Sequence, residues 1–109
     1  MARQLTNAIY DAAEQGNFAR DFEQKDQIRR ASSSIMHNIA EGFDAGADTE
    51  FIPFLKYARR SASEVQSELY LALDRQYISA EQFQNFYEQA TQIKKPINAF
   101  IPYLRQSKK

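Results

Sequence analysis

Few side chains in this sequence could carry out catalysis. It contains one histidine, His37, and no cysteine, whereas metal clusters and nucleophile–base pairs usually need several such residues. Glu64 and Glu68 lie one helical turn apart and point away from the predicted core, which is typical of a solvated face. These residues predict a protein that is not an enzyme and that holds no metal and no cofactor. A small hydrolase or nuclease using Glu64, Glu68 or Glu41 remains the remote alternative.

Phosphate binding is the other chemistry that the side chains could support. The chain has no glycine-rich phosphate loop, but it has four basic doublets, at residues 29–30, 59–60, 94–95 and 108–109. Lys plus Arg and Asp plus Glu both number 14, and residues 1–60 carry eight basic against nine acidic side chains. We therefore expect nucleic acid to bind weakly, unless an assembly of subunits gathers Arg29, Arg30, Arg59 and Arg60 on one surface.

His37 lies on a polar face, opposite the apolar stripe of its predicted helix. Asp26, Arg30 and Glu41 share this face, which pairs Asp26 with Arg30 and His37 with Glu41 at a spacing of four residues. Such a stripe usually solvates a helix. It also suits a contact between subunits.

The elements that must position these residues are helices. Only three Gly and three Pro occur, and long stretches carry apolar residues at intervals of three and four. The predicted helices run from about Ala2 to Gln15, from Asp21 to Phe43, from Asp48 or Thr49 to Gln76, and from Ser79 almost to the end. Gly16 and Asn17 should stop the first, and Ser79 with Gln82 should cap the last. Short connections then predict an all-α fold, an antiparallel up-down-up-down four-helix bundle.

The composition predicts one domain over residues 1–109. A chain of 109 residues and 12.6 kDa can bury one modest core, and its hydrophobic and charged fractions, 43% and 26%, are ordinary for a globular protein. The absence of cysteine favours an intracellular compartment. No apolar run approaches ~20 residues, and the start lacks a signal-peptide core. We expect a cytoplasmic protein with no membrane partner.

The apolar stripes separate a predicted core from a predicted partner face. Ile28, Ile35, Ile39 and Phe43 should be buried on the second helix, and Phe100 belongs to the stripe of the last helix. Large apolar residues off the stripes are typical of a partner face; they are Ile52, Tyr57, Tyr70, Leu71 and Tyr87. Tyr57, Tyr70, Leu71 and Tyr87 are therefore candidate subunit-interface residues.

A resemblance to a known family rests mainly on residues 27–43, which read QIRRASSSIMHNIAEGF. This segment resembles the central motif of the four-helix-bundle family known as 23S rRNA intervening-sequence proteins. Glu50 and Phe51, with Phe54 and Leu55, look like the family's next helix start, and the match covers nearly the whole chain. The resemblance implies a small bacterial bundle that assembles into a ring, commonly a homopentamer, with no established enzymatic activity and with a possible protein partner.

The resemblance extends to related accessory proteins of diversity-generating retroelements, which are strongly basic, and through them it implies nucleic-acid binding as the alternative function. This chain differs from them, because it is neutral and carries Ala45 where relatives often have a basic residue. Within the motif, Gly42 should let the chain turn close to its neighbour. Arg29, Arg30 and Glu41 are the charged motif residues not needed for the core, so they are candidate interaction residues.

Overall fold

The computed structural model describes residues 1–45 and 48–106 and contains five helices. They are α1 (Ala2–Ala13), α2 (Gly16–Arg20), α3 (Phe22–Asp44), α4 (Asp48–Asp74) and α5 (Ala80–Gln106). No β-strand occurs in those residues, so the predicted all-α class is confirmed, and the number of helices, predicted as four, is corrected to five. None of the helices described is both long and apolar enough to span a membrane.

The additional helix α2 forms where the sequence predicts only a stop. Gln15 is extended and Gly16 has a φ of +51°, which ends α1 as expected, but the chain resumes a helical course at Gly16. This short helix buries Phe18, whose ring stacks on that of Tyr77 at 5.2 Å between centroids. Asp21 then accepts a hydrogen bond from the backbone N–H of Gln24 at 3.1 Å and caps α3.

Contacts between the long helices show that neighbours run in opposite directions. Near the start of α3, the Gln24 side-chain amide donates to the backbone carbonyl of Glu68 on α4 at 3.1 Å. Farther along α3, Ser34 Oγ accepts from the hydroxyl of Ser61, which comes earlier on α4, at 2.8 Å. Between α4 and α5, Arg59 donates to Asn98, and farther along α4 Gln66 donates to Thr91, which comes earlier on α5. The first half of α4 therefore packs beside the second halves of α3 and α5.

The core follows the predicted stripes except near the ends of two helices. Ile28 and Ile35 are buried, and Ile39 is partly buried against the same core. Phe43, predicted to be buried, is 69% exposed, and Phe100 is 37% exposed. The register explains both corrections: on α3 the inward position after Ile39 is Gly42, and on α5 Ile97 and Ile101 already occupy the inward face. In the opposite sense, Ile52, predicted off the stripe, is buried.

Gly42 permits a close approach of two helices and does not form a turn, because α3 continues past it to Asp44. A Cβ atom at this position would clash with the ring of Phe51 and would lie 3.3 Å from the Cβ of Phe54. The expected turn role is therefore wrong, and close packing of α3 on α4 takes its place. The turn residues Gly46 and Ala47, and the predicted capping side chains of Asp48 and Thr49, lie outside what the structure describes.

The start of α5 confirms the predicted capping box. The Ser79 hydroxyl accepts from the Gln82 N–H at 3.0 Å, and the Gln82 side chain accepts from the Ser79 N–H at 2.9 Å. The preceding helix α4 ends at Asp74, two residues before the predicted Gln76. Gln76 adopts a left-handed φ of 62°, and the Tyr77 N–H donates to the Ala72 carbonyl at 2.8 Å, which closes the end of α4.

Candidate functional site

The basic doublet on α3 is paired with nearby carboxylates. Arg30 Nε lies 3.0 Å from Asp26 Oδ2, which confirms the predicted pair. Arg29 lies 3.7 Å from Glu14 and 4.0 Å from Asp26, and its guanidinium sits over the ring of Tyr10 at 5.6 Å. Each arginine of this doublet therefore has an acidic partner, which lowers the attraction of this surface for an added anion.

The basic doublet on α4 has different surroundings. Arg59 Nη1 donates to Asn98 Oδ1 at 2.8 Å, and Arg60 lies over the ring of Tyr57 at 6.0 Å. Both arginines line a groove of about 390 Å³, here called the basic groove, whose lining residues are Lys56, Arg59, Arg60, Ser63, Lys94 and Asn98. The structure thus joins Arg59 and Arg60 to Lys94. Arg29 and Arg30 line a separate depression with Asp26 and Glu64.

The three candidate acids of the remote hydrolase hypothesis do not share a site. Glu41 is exposed near the end of α3, Glu64 lines the depression beside Arg30, and Glu68 lines another one with Arg75. Burial, followed by the charges of neighbouring carboxylates, raises the pKa of Glu68, although Arg75 opposes the shift. Across the side chains that the structure describes, in residues 1–45 and 50–106, no three His, Asp or Glu are grouped so as to hold a metal ion. His37 is exposed and forms no ion pair with Glu41, contrary to the predicted pairing.

An aromatic surface, missed in the sequence, lies where α3, α4 and α5 meet. Phe43 is 4.9 Å from Phe51, Phe51 is 5.8 Å from Phe100, and Phe100 stacks on Tyr103 at 5.8 Å between ring centroids. We call these four residues the aromatic row. Phe51 is buried, but Phe43, Phe100 and Tyr103 are 69%, 37% and 62% exposed. The sequence did contain a signal for this surface, because Phe43 and Phe100 are each one residue away from a buried position of their helix, Gly42 and Ile101.

An apolar depression continues the aromatic row toward the start of α1. It encloses about 460 Å³, and its lining includes Met1, Ile39, Phe43, Phe51, Leu55 and Pro96. Contiguous apolar surface of this kind is uncommon on monomeric proteins and marks interaction sites.

The predicted interface residues fall into separate places. Tyr70 and Tyr87 belong to one ring cluster with Phe83, with centroid distances of 5.0 to 5.6 Å, and Tyr87 packs partly against the core. A hydrogen bond with Tyr70 raises the pKa of Tyr87. Leu71 is exposed in the depression beside Glu68, whereas Tyr57 lies near Arg60. Of these four residues, Tyr70 and Tyr87 are in direct ring contact.

A polar network formed by Asp21, Gln24, Glu68, Arg75 and Tyr77 connects α3, α4 and the residues after α4. The Tyr77 hydroxyl donates to Asp21 Oδ2 at 2.8 Å, and Arg75 Nη1 donates to Gln24 Oε1 at 2.9 Å. The hydrogen bond from the Gln24 backbone N–H, and after it the one from the Tyr77 hydroxyl, lowers the pKa of Asp21. The bond to Asp21 raises the pKa of Tyr77. In the sequence Asp21 is only the predicted start of a helix, because Arg75 and Tyr77 lie far along the chain.

These features define an all-helical protein with an exposed aromatic row and a basic groove. Within that class, the chain belongs to the 23S rRNA-intervening sequence protein family, whose family model matches residues 1–99. A crystal structure of a protein with unknown function from the S23 ribosomal protein family of Bacteroides thetaiotaomicron is similar, with a TM-score of 0.80 and 30% identity. The match covers 92% of this chain and 90% of that chain. No curated protein matches. The family predicted from residues 27–43 is confirmed.

Proposed function

We propose that this protein is a non-enzymatic interaction protein that assembles with copies of itself through the aromatic row. In this proposal the four long helices form an antiparallel up-down-up-down bundle, and α2 is an addition to it. The observation that carries the proposal is the exposure of Phe43, Phe100 and Tyr103 in one contiguous set of rings.

Burial of the aromatic row in an interface would contribute more free energy than burial of an equal area of polar surface. Removal of apolar surface from water contributes about 25 cal/mol for each Å², and aromatic side chains dominate the energetics of interfaces. Phe43 and Tyr103 are each more than half exposed, so the isolated chain leaves much of this free energy unrealised. The adjoining apolar depression gives a second copy a concave surface to enter.

A ring is the form of assembly that family membership supports, and the sequence resemblance implies five copies. A ring of identical subunits brings two different surfaces of neighbouring copies together. The aromatic row would supply one of these surfaces. Such a ring repeats every surface of the subunit, which favours binding of a macromolecular partner through several weak contacts.

Light scattering on the full chain at micromolar concentration tests the assembly. We expect a mass of about five times 12.6 kDa, and a monomer mass would overturn the proposal. Phe43→Gln should shift the protein toward smaller species, because it removes an exposed ring from the row. Phe22→Gln is the matched control, since Phe22 is also on α3, is 76% exposed, and lies at the opposite end of that helix. Equal behaviour of the two variants would contradict the role of the aromatic row.

The absence of enzymatic activity is a separate part of the proposal, with its own test. It is supported by the separation of Glu41, Glu64 and Glu68 into different surroundings. Metal analysis of the purified protein should find no stoichiometric transition metal. Stoichiometric Mn, Fe or Zn would revive the hydrolase or nuclease hypothesis.

A further inference from the structure

The walls of the basic groove are free of acidic residues over long stretches of both helices. Its floor and sides combine four cationic side chains with Ser63 and Asn98, and no carboxylate of the described residues lines it. In the sequence, no Asp or Glu occurs between Glu50 and Glu64, and none follows Glu88. Although the whole chain has a formal net charge of zero, this groove concentrates positive charge.

Lys94 is held in the groove by neutral groups. Its ammonium donates to Gln66 Oε1 at 2.7 Å and to Ser63 Oγ at 3.3 Å. Gln66 is buried, and its amide nitrogen donates to Thr91 Oγ1 at 2.9 Å and to the Tyr87 carbonyl at 3.3 Å. Because these bonds orient the amide, its oxygen faces Lys94. Lys94 is therefore positioned by neutral acceptors, and its positive charge is not compensated by a carboxylate in the groove.

Arg59 is held in the same way from the other wall. Its Nη1 donates to Asn98 Oδ1 at 2.8 Å, and a guanidinium has five N–H donors, so further donors are available to a ligand. Lys56 and Arg60 add two exposed cations to the rim. Positioned donors that keep their charge are what a multiply charged oxyanion requires, since they bind it through charge-assisted hydrogen bonds.

The α3 doublet shows that basic residues alone do not make such a site. Arg29 and Arg30 resemble Arg59 and Arg60 in sequence, but Arg30 lies 3.0 Å from the Asp26 carboxylate. An anion arriving there would have to compete with that carboxylate. In the basic groove the corresponding acceptors are neutral amide and hydroxyl oxygens.

We propose that the basic groove is a binding site for a compact anion that carries phosphate groups. The residues from Lys56 to Ser63 extend over roughly 10 Å of α4 at 1.5 Å per residue, a length suited to one or two linked phosphate groups. Lys94 and Arg59 bind the phosphate oxygens from the two walls, and Lys56 and Arg60 neutralise the remaining charge. The site is independent of the assembly through the aromatic row.

Calorimetric titration of the full chain with inorganic phosphate and with pyrophosphate tests the site. Pyrophosphate should bind more tightly, because it can reach both walls at once, and binding should weaken at higher salt. Arg59→Gln and Lys94→Gln should each weaken binding by about tenfold or more, as expected for loss of one charge-assisted hydrogen bond. Arg60→Gln, an exposed change that leaves the packing intact, should weaken binding less. Arg30→Gln is the matched control and should bind like the unchanged chain.

Four results would overturn the proposal. The first is that pyrophosphate does not bind at low salt. The second is that Arg30→Gln weakens pyrophosphate binding as much as the groove variants do. The third is that folded Arg59→Gln and Arg60→Gln both bind pyrophosphate with full affinity. The fourth is binding of a long RNA, but not of pyrophosphate, through the same residues, which would identify an extended nucleic-acid surface. Light scattering on the groove variants distinguishes this site from self-assembly. If a variant changes the mass of the assembly but not its affinity for pyrophosphate, the groove is a contact between copies and the proposal fails.

Discussion

The two ends of the α4 and α5 helix pair use their charged and aromatic side chains differently. At one end, Asp21, Arg75 and Tyr77 satisfy each other's hydrogen bonds and charges within the polar network. Near the middle of the pair, Arg59 and Lys94 are held by neutral acceptors, and toward the other end the aromatic row is exposed. The first end is complete within one chain, whereas the rest of the pair leaves positive charge and apolar surface for a partner.

A small protein with no net charge can therefore present a specialised surface. The total of 14 basic and 14 acidic side chains is divided unevenly in space, because Glu14 and Asp26 pair with the α3 doublet, whereas no carboxylate of the described residues lines the basic groove. Net charge controls long-range attraction, but the arrangement of partners controls what binds at a given site.

Core substitutions should have the largest effects, and they test whether the two ends share one well-packed interior. Leu69→Ala, next to the polar network, should lower the free energy of unfolding by about 2 to 5 kcal/mol. Leu55→Ala should fall in the lower part of that range, because Leu55 borders the apolar depression, into which its neighbours can relax. Urea denaturation measures both values, with His37→Ala as an exposed control within about 0.5 kcal/mol of the unchanged chain. A much larger loss for Leu55→Ala would contradict the expected difference between the ends.

A smaller loss of stability is expected where α3 meets α4 beneath the aromatic row. Gly42→Ala places a Cβ atom against the ring of Phe51, and overpacking of this kind costs about 1 to 3 kcal/mol. Displacement of Phe51 should also disturb its contact with Phe43, so light scattering should show a smaller mass. Glu41→Ala, the exposed neighbour on the same helix, is the control. Unchanged stability of Gly42→Ala would show that the ring moves at little cost.

The smallest effect concerns the pH dependence of the polar network. Hydrogen bonds in the folded chain lower the pKa of Asp21 below its ordinary value of 3.8, so they stabilise the fold above that pH. This stabilisation is lost as the pH falls through the lowered pKa. Glu68 acts in the opposite direction, since its raised pKa means that protonation on acidification relieves a destabilising charge.

Melting temperatures followed by circular dichroism from neutral to strongly acidic pH measure this balance. Asp21→Asn should be less stable than the unchanged chain at neutral pH, and the difference should shrink below pH 3.8. Asp26→Asn, on the surface of the same helix, is the control. A constant difference between Asp21→Asn and the unchanged chain at every pH would exclude the titration of Asp21 as the cause.

Much of the fold could be predicted from local patterns. The start of α5 follows from Ser79 and Gln82, whose side chains bond to backbone groups three residues apart. The buried positions Ile28 and Ile35 follow from helical periodicity. The same pattern could not distinguish Gly42 from Phe43, because adjacent residues differ by about 100° around a helix and only the position of Phe51 decides which of them faces inward.

The candidate sites were harder to predict, because they depend on residues distant in the chain. Counting charges over residues 1–60 separates Arg59 from Lys94, so the count does not reveal that both residues line one groove without acidic residues. The aromatic row combines residues of three helices. Tyr57, Tyr70 and Leu71 are exposed, as predicted, whereas Tyr87 packs partly against the core, and periodicity along single helices could not show which of these residues lie together in space.

By itself, the sequence determined the helical class, the main buried stripes and the family, since these depend on the spacing of neighbouring residues and on the motif at residues 27–43. Only the tertiary structure decided which basic doublet keeps its charge available. Arg29 meets Glu14 because α1 packs beside α3, whereas Arg59 meets Asn98 because α5 returns along α4. The strength of an electrostatic interaction depends on the distance between the charges in space, and separation along the chain does not give that distance.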